Sequence, residues 1–189
     1  MTSSDANPAC DVAHGRVPTR RNGRVLIAVF ASPVAEYLLR YASDAGFRTV
    51  LVEPDERLAQ AAHELGGTGE TGGSRETGST GVNAVVTAVS GSLDETADVV
   101  VTDHHRPEPG AVLRDALAGT PRWIGVMGNP RVPAPHIPAL TALGVQPEDI
   151  ARVHRPIGLD IGSRTPAEIA IATLAGLIAG RNRRPGGFF

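Results

Sequence analysis

The run Val25-Leu26-Ile27-Ala28-Val29-Phe30 is apolar throughout and of strand length. A strand with no polar alternation is buried on both faces, which is the situation of a central strand in a parallel sheet. Parallel neighbours cannot be joined by hairpins, so helical crossovers must follow. They do. Val34 to Ala45 places Val34, Leu38, Tyr41 and Ala45 along one side and stops at Gly46. A second strand follows from Phe47 to Val52 and a helix from Glu56 to Leu65. Further strands are predicted at Val82 to Val89, Val99 to Thr102 and Trp123 to Met127. Helices are predicted from Gly110 to Ala118, from Ile137 to Leu143 with Gly144 as its stop, and from about Pro166 to Ala179. This alternation predicts an α/β chain: a Rossmann-like doubly wound, mostly parallel sheet with helices on both faces.

A length of 189 residues suits one domain, placed at 23–180 between a polar tail (1–22) and a short C-terminal tail (181–189). The Gly/Thr/Ser/Glu tract at 66–81 has too few apolar residues to pack and reads as a flexible insertion. Aromatics are scarce, so Ala, Val, Leu and Ile must build the core. A formal charge of -2 gives no electrostatic case for nucleic acid. All 18 basic residues are arginine, which rules out a lysine Schiff base and a phosphate-loop lysine. Cys10 has no partner cysteine, so no disulfide forms within one chain. With no signal-peptide core and no run long enough to span a bilayer, a cytoplasmic protein is expected. Ile169 to Ala179 carries no charge. Such a helix is either packed between the sheet and other segments or meets a second subunit in a homodimer.

Candidate site residues gather where strands end. The first turn, Phe30-Ala31-Ser32-Pro33-Val34, lacks the glycines with which a dinucleotide fold admits a pyrophosphate. Ser32 either caps the following helix or contacts a phosphate, and Pro33 can start that helix. Glu53, at the end of the second strand, stands where a ribose-binding acid would, with Asp55 as a second candidate. Val99 to Thr102 delivers Asp103, His104 and His105 to the carboxyl edge. They read as ligand contacts, as part of a metal site, or as a strand end with Asp103 capping a turn. Gly125 and Gly128 punctuate the strand starting at Trp123, and Arg131 follows as a phosphate contact or a residue of a plain turn.

The segment His154-Arg155-Pro156-Ile157-Gly158-Leu159-Asp160-Ile161-Gly162-Ser163-Arg164-Thr165-Pro166-Ala167-Glu168 joins a glycine-punctuated loop to the last helix. Thr165 and Glu168 have capping-box spacing and Pro166 sits at the first helical position, a helix start that can receive an anion. Asp160, between Gly158 and Gly162, is either an exposed ligand contact or a shaper of the loop. Arg155 and Arg164 flank it and could serve an anionic ligand. No nucleophile–base pair or paired-carboxylate arrangement is evident, so a binding protein is expected ahead of an enzyme.

This segment resembles the signature of the XdhC/CoxI family, whose members are linked to maturation of molybdenum hydroxylases. The likeness extends from about Val25 to Ala179. Ser32-Pro33-Val34-Ala35 is similar to the family's shorter first turn, and Asp103-His104 resembles its Thr-His-Asp-like segment in altered order. Asn129-Pro130 replaces an expected Ser-Arg. The resemblance implies a Rossmann-like domain that binds molybdenum cofactor or a related nucleotide and serves a molybdenum hydroxylase apoenzyme. A nucleotide-dependent oxidoreductase using NAD(P) is the alternative. Asp103-His104-His105 is also similar to the motif of the DHH phosphoesterases, which would imply metal-dependent phosphodiester hydrolysis. A regulatory or interaction domain that takes no ligand is the last reading.

Overall fold

A computed structural model describes residues 23–66, 81–89, 93–103, 105–106, 108–129 and 131–187. The expected N-terminal tail, most of the 66–81 tract and His104 lie outside the described residues.

Six strands form one sheet: β1 (Val25–Val29), β2 (Arg48–Val52), β3 (Ala84–Val86), β4 (Ala97–Val101), β5 (Trp123–Val126) and β6 (Val153–His154). Their order is β3-β2-β1-β4-β5-β6. Every neighbouring pair is parallel, with Val25 opposite Arg48 on one side and Ala97 on the other. The doubly wound reading is correct, and the strand order reverses between β1 and β4.

Both central strands are buried at all five positions, so their side chains supply two cores. Leu26, Ala28 and Val100 face α1 (Pro33–Asp44) and α6 (Pro166–Arg181), meeting Leu38, Leu39, Ala42, Ala170 and Leu174. Ile27, Val29, Val99 and Val101 face the other way, against Val112, Leu113 and Ala116 of α3 (Pro109–Leu117) and Leu140 of α4 (His136–Ala142). The remaining helices are α2 (Glu56–Gly66) and the short α5 (Pro147–Ile150). Among the described residues of the β3–β4 connection there is no helix. That stretch of sheet carries an open groove of ≈ 340 Å³ lined by Val50, Val52, Val86 and Leu93. No helix among the described residues is long and apolar enough to cross a membrane.

Several boundaries differ from the sequence pattern, each for a physical reason. The strand expected from Val82 to Val89 is confined to Ala84–Val86. Ahead of it the Asn83 N–H still donates to Thr49 O at 3.1 Å, but the Asn83 Oδ1, in place of a backbone carbonyl, accepts from the Thr49 N–H at 2.9 Å. β4 begins at Ala97 rather than Val99 because Asp98, a wholly buried carboxylate, is neutralised within the strand. Arg122 Nε and Arg181 Nε each donate to it at 2.8 Å, tying β4 to β5 and to the end of α6. Burial still raises the Asp98 pKa, against the pull of those arginines. β6 and α5 have no counterpart in the pattern, since two and four residues are too short to show a period.

Candidate functional site at the carboxyl edge of the sheet

The turn after β1 is built without glycine and is strained in consequence. Phe30 sits at φ 72, the left-handed region, although fully buried. For an L-residue other than glycine that conformation costs about 1–2 kcal/mol. Its neighbours hold it there. The Phe30 N–H donates to Val52 O at 2.8 Å, and the Ala31 N–H donates to Glu53 Oε2 at 2.8 Å. Ser32 is the N-cap of α1, its Oγ accepting from the Ala35 N–H at 3.1 Å. The Ser32 hydroxyl donates to Thr102 Oγ1 at 3.0 Å, and the Thr102 hydroxyl faces the Val29 and Phe30 carbonyls, each at 2.9 Å. The capping reading of Ser32 is what the structure shows.

Glu53 is the hub of this half of the edge. It is wholly buried. Its Oε1 accepts from the Asp55 N–H at 3.0 Å and from Arg106 Nη2 at 2.8 Å, while Oε2 holds Ala31. The Arg106 guanidinium lies 5.0 Å from the Phe30 ring centroid, a cation–π contact that covers the strained residue. Burial acts to lower the Arg106 pKa, and the Glu53 and Glu108 carboxylates outweigh it and raise the value. Asp103 Oδ1 accepts from the His105 N–H at 2.9 Å, an Asx turn, and Asp55 Oδ1 accepts from Arg57 and Leu58 at the start of α2. Among the described residues no group of three or more His, Cys, Asp or Glu is arranged to hold a metal ion.

The β5–β6 half is organised by Arg155. Its Nη1 donates to Val132 O at 2.9 Å and its Nη2 to Asn129 O at 3.1 Å, clamping the loop after β5. Gly128 leaves room for this: a Cβ there would stand 2.3 Å from Arg155 Nε. Asn129 Oδ1 accepts from the Arg131 N–H at 2.9 Å and leaves the Arg131 side chain exposed. Gly125 has a packing role, since a Cβ there would lie 2.1 Å from the Trp123 ring and 2.6 Å from Ile157. His136 opens α4 and is buried, and burial followed by the Arg155 charge lowers its pKa.

The glycine-punctuated segment lies apart from both halves. Gly158, at φ 86, packs on Ala172 and Thr173, and the Leu159 N–H donates to Ala172 O at 3.1 Å. The segment is thereby laid along the flank of α6 before it returns to the helix start. Asp160 is exposed there, with no hydrogen-bond partner among the described residues, and Gly162 at φ 68 has open space around it. The capping box forms as expected: Thr165 Oγ1 accepts from the Glu168 N–H, and Glu168 Oε2 accepts from the Arg164 and Thr165 N–H groups. Those bonds lower the Glu168 pKa. They also occupy donors that an anion would need, which corrects the expectation of an anion site at this helix start.

Ser32, Glu53 and Asp103 thus meet at the ends of β1, β2 and β4. Gly128 and Arg131 stand at the end of β5, Gly125 lies inside the sheet, and Gly158, Asp160 and Gly162 run along α6. Arg106 and Asp98 are functional positions that the sequence pattern does not reveal. A lone arginine after a strand carries no periodic signal, and neither does a carboxylate whose partners are remote in sequence.

The model of the XdhC Rossmann domain matches residues 26–177. An uncharacterized protein of Escherichia coli (strain K12), YqeB, is 42% identical over 65 residues, which are 34% of this chain and 12% of that protein. A crystal structure described as a xanthine dehydrogenase from Bacillus halodurans has a TM-score of 0.60 and 21% identity, over 87% of this chain and 45% of that one. The second likeness is one of fold. The chain accounts for less than half the length of either relative.

Proposed function

The chain belongs to the XdhC family through its Rossmann domain, and from that premise we propose that it is an accessory protein in the maturation of a molybdenum hydroxylase of the xanthine dehydrogenase or carbon monoxide dehydrogenase type. It acts there by binding molybdenum cofactor or a related nucleotide, with the apoenzyme of that hydroxylase as its partner. The observation that carries this reading is the family match from 26 to 177, which spans the sheet from β1 to β6. Among the described residues no arrangement at the carboxyl edge adds a nucleophile with its base, which favours a binding role over turnover.

The residues at the β1 turn do not fit a dinucleotide in the usual pose. That pose needs a glycine turn with free backbone donors and a carboxylate open to a ribose. Here Phe30 fills the turn, the Ala31 N–H is held by Glu53, and Glu53 is buried with both oxygens engaged. NAD(P) turnover therefore has no support from this geometry. The donor set beyond β5 is different in kind, with an exposed arginine at Arg131 in the loop that follows Gly128, and it suits a phosphate-bearing group. A molybdenum cofactor brings such a phosphate, together with the metal that the target enzyme uses. Asp103, half-exposed at the end of β4, is the acid proposed to contact the uncharged part of the same ligand, while Asp160, exposed on the flank of α6, is proposed as a separate contact.

Equilibrium binding of the purified protein to molybdenum cofactor, with NAD(H) and NADP(H) in parallel, tests the reading. Stoichiometric binding of the molybdenum cofactor alone is expected. Binding of the nicotinamide cofactors alone would replace this reading with the oxidoreductase one.

A further inference from the structure

The two halves of the carboxyl edge differ in charge and in how completely their polar atoms are satisfied. Glu53, Asp55, Asp103 and Glu108 surround the ends of β1, β2 and β4. Arg106 stands in their midst, already paired with Glu53 at 2.8 Å and with Glu108 at 3.5 Å. An anion arriving at this half meets carboxylates and occupied donors.

Beyond β5 and β6 the balance reverses. Arg155 bonds only to neutral carbonyls, those of Asn129 and Val132, and no carboxylate pairs with it among the described residues. Carbonyls satisfy N–H groups but do not cancel a charge, and a guanidinium partly removed from water gains most from an anionic partner. Its Nε is buried without a hydrogen-bond partner. His136 Nδ1 is buried and unpartnered in the same way, on a residue only 5% exposed. Buried polar atoms without partners are few in native proteins, and two in one neighbourhood mark a place where oxygen atoms belong. Arg131 projects from the clamped loop itself, adding a second unneutralised cation. Gly128 keeps the backbone low beneath the Arg155 guanidinium.

We infer that Arg155, Arg131 and His136, with the backbone at Gly128 and Asn129, form a seat for a phosphate group, and that this seat replaces the dinucleotide turn after β1. The inference deepens the proposed cofactor-binding role by naming where the ligand's phosphate is held. The seat itself is defined by charge and unpartnered atoms, whatever molecule carries the phosphate.

The test is a titration of the isotopically labelled protein with inorganic phosphate, ionic strength held constant with chloride, followed by backbone amide NMR. Saturable shifts are expected at Gly128, Asn129, Arg131 and Arg155, with Ala31 and Ser32 unmoved. Arg155→Gln should weaken the phosphate at least about tenfold, as loss of a charge-assisted contact requires. Arg131→Ala, an exposed position, should weaken it several-fold with an unchanged melting temperature, so the inference stays testable if Arg155→Gln unfolds the loop. Equal affinity in wild type and Arg131→Ala, shifts at the β1 turn instead, or no saturable shift would each overturn it. Phosphate seated here without any cofactor binding would leave the seat standing and defeat the maturation reading. Cofactor binding that moves only the β1 turn would do the opposite.

Discussion

Replacing Glu53 with glutamine changes one atom in shape and nearly everything in bonding. Glu53 has two oxygens and three donors aimed at them: the Ala31 N–H at 2.8 Å, the Asp55 N–H at 3.0 Å and Arg106 Nη2 at 2.8 Å. The best glutamine rotamer keeps its single oxygen on Asp55 and Arg106 and turns its NH₂ toward the Ala31 N–H, donor against donor. A buried charge-assisted bond is worth about 1.5–3 kcal/mol, and the bond left to Arg106 loses its ionic partner. Together these give a destabilisation of about 3 kcal/mol, or roughly 6–12 °C in Tm for a domain of this size. Urea unfolding followed by circular dichroism measures the global loss. Hydrogen exchange at the Ala31 amide gives the local one, since that N–H has Glu53 as its acceptor and should lose protection first. A double-mutant cycle with Arg106→Ala should show coupling of at least about 1 kcal/mol. A global loss below about 0.5 kcal/mol, the level of an unremarkable surface substitution, with Ala31 protection intact, would refute the hub.

Other perturbations have equally definite signs. At Phe30, glycine should be more stable than alanine by about 1 kcal/mol, because both variants lose the ring but only alanine keeps the left-handed strain; equal stabilities would dismiss the strain. Gly125→Ala should destabilise by about 1–3 kcal/mol by overpacking against Trp123 and Ile157, with a shifted emission from the chain's single tryptophan. His136 has a folded pKa below its usual 6.5, from burial and then from Arg155, so the unfolded chain takes up the proton first as pH falls. Stability should therefore be complete above pH 6.5 and decline below it, and His136→Phe should flatten that part of the profile in chemical denaturation; an unchanged slope would count against the buried neutral imidazole.

What could be read from sequence divides by the range over which its cause acts. The sheet was legible because Val25 to Val29 and Val99 to Val101 are buried on both faces and so lose all alternation. The capping box was legible because Thr165 and Glu168 are three residues apart and their bonds close within one helical turn. The missing glycine after β1 was also visible. That phenylalanine itself adopts the glycine conformation was not, because the compensating contacts come from Val52, Glu53 and Arg106. Glu53 was placed correctly at the end of β2, yet its partners lie 22 and 53 residues away, and no local pattern reports such distances. Asp98 reads as an interruption of an apolar run until Arg122 and Arg181 are brought to it by β5 and α6.

The topology and the chemistry of this edge point to different places. A strand order that reverses between β1 and β4 opens a crevice there, and on many sheets of this type that crevice is where the ligand binds. In this chain the same crevice is filled by Phe30, closed by the Glu53–Arg106 pair and bordered by acids. The contacts that stabilise a glycine-free turn are the ones that exclude a pyrophosphate from it, so a variant that readmits a dinucleotide must first lose the Glu53 hub and its stability. Sheet order alone thus carries little weight for function here, as fold-level analogy generally does. The side chains that keep unused charge and unpartnered atoms stand two strands away, after β5 and β6, and a ligand drawn by electrostatics would be drawn to them.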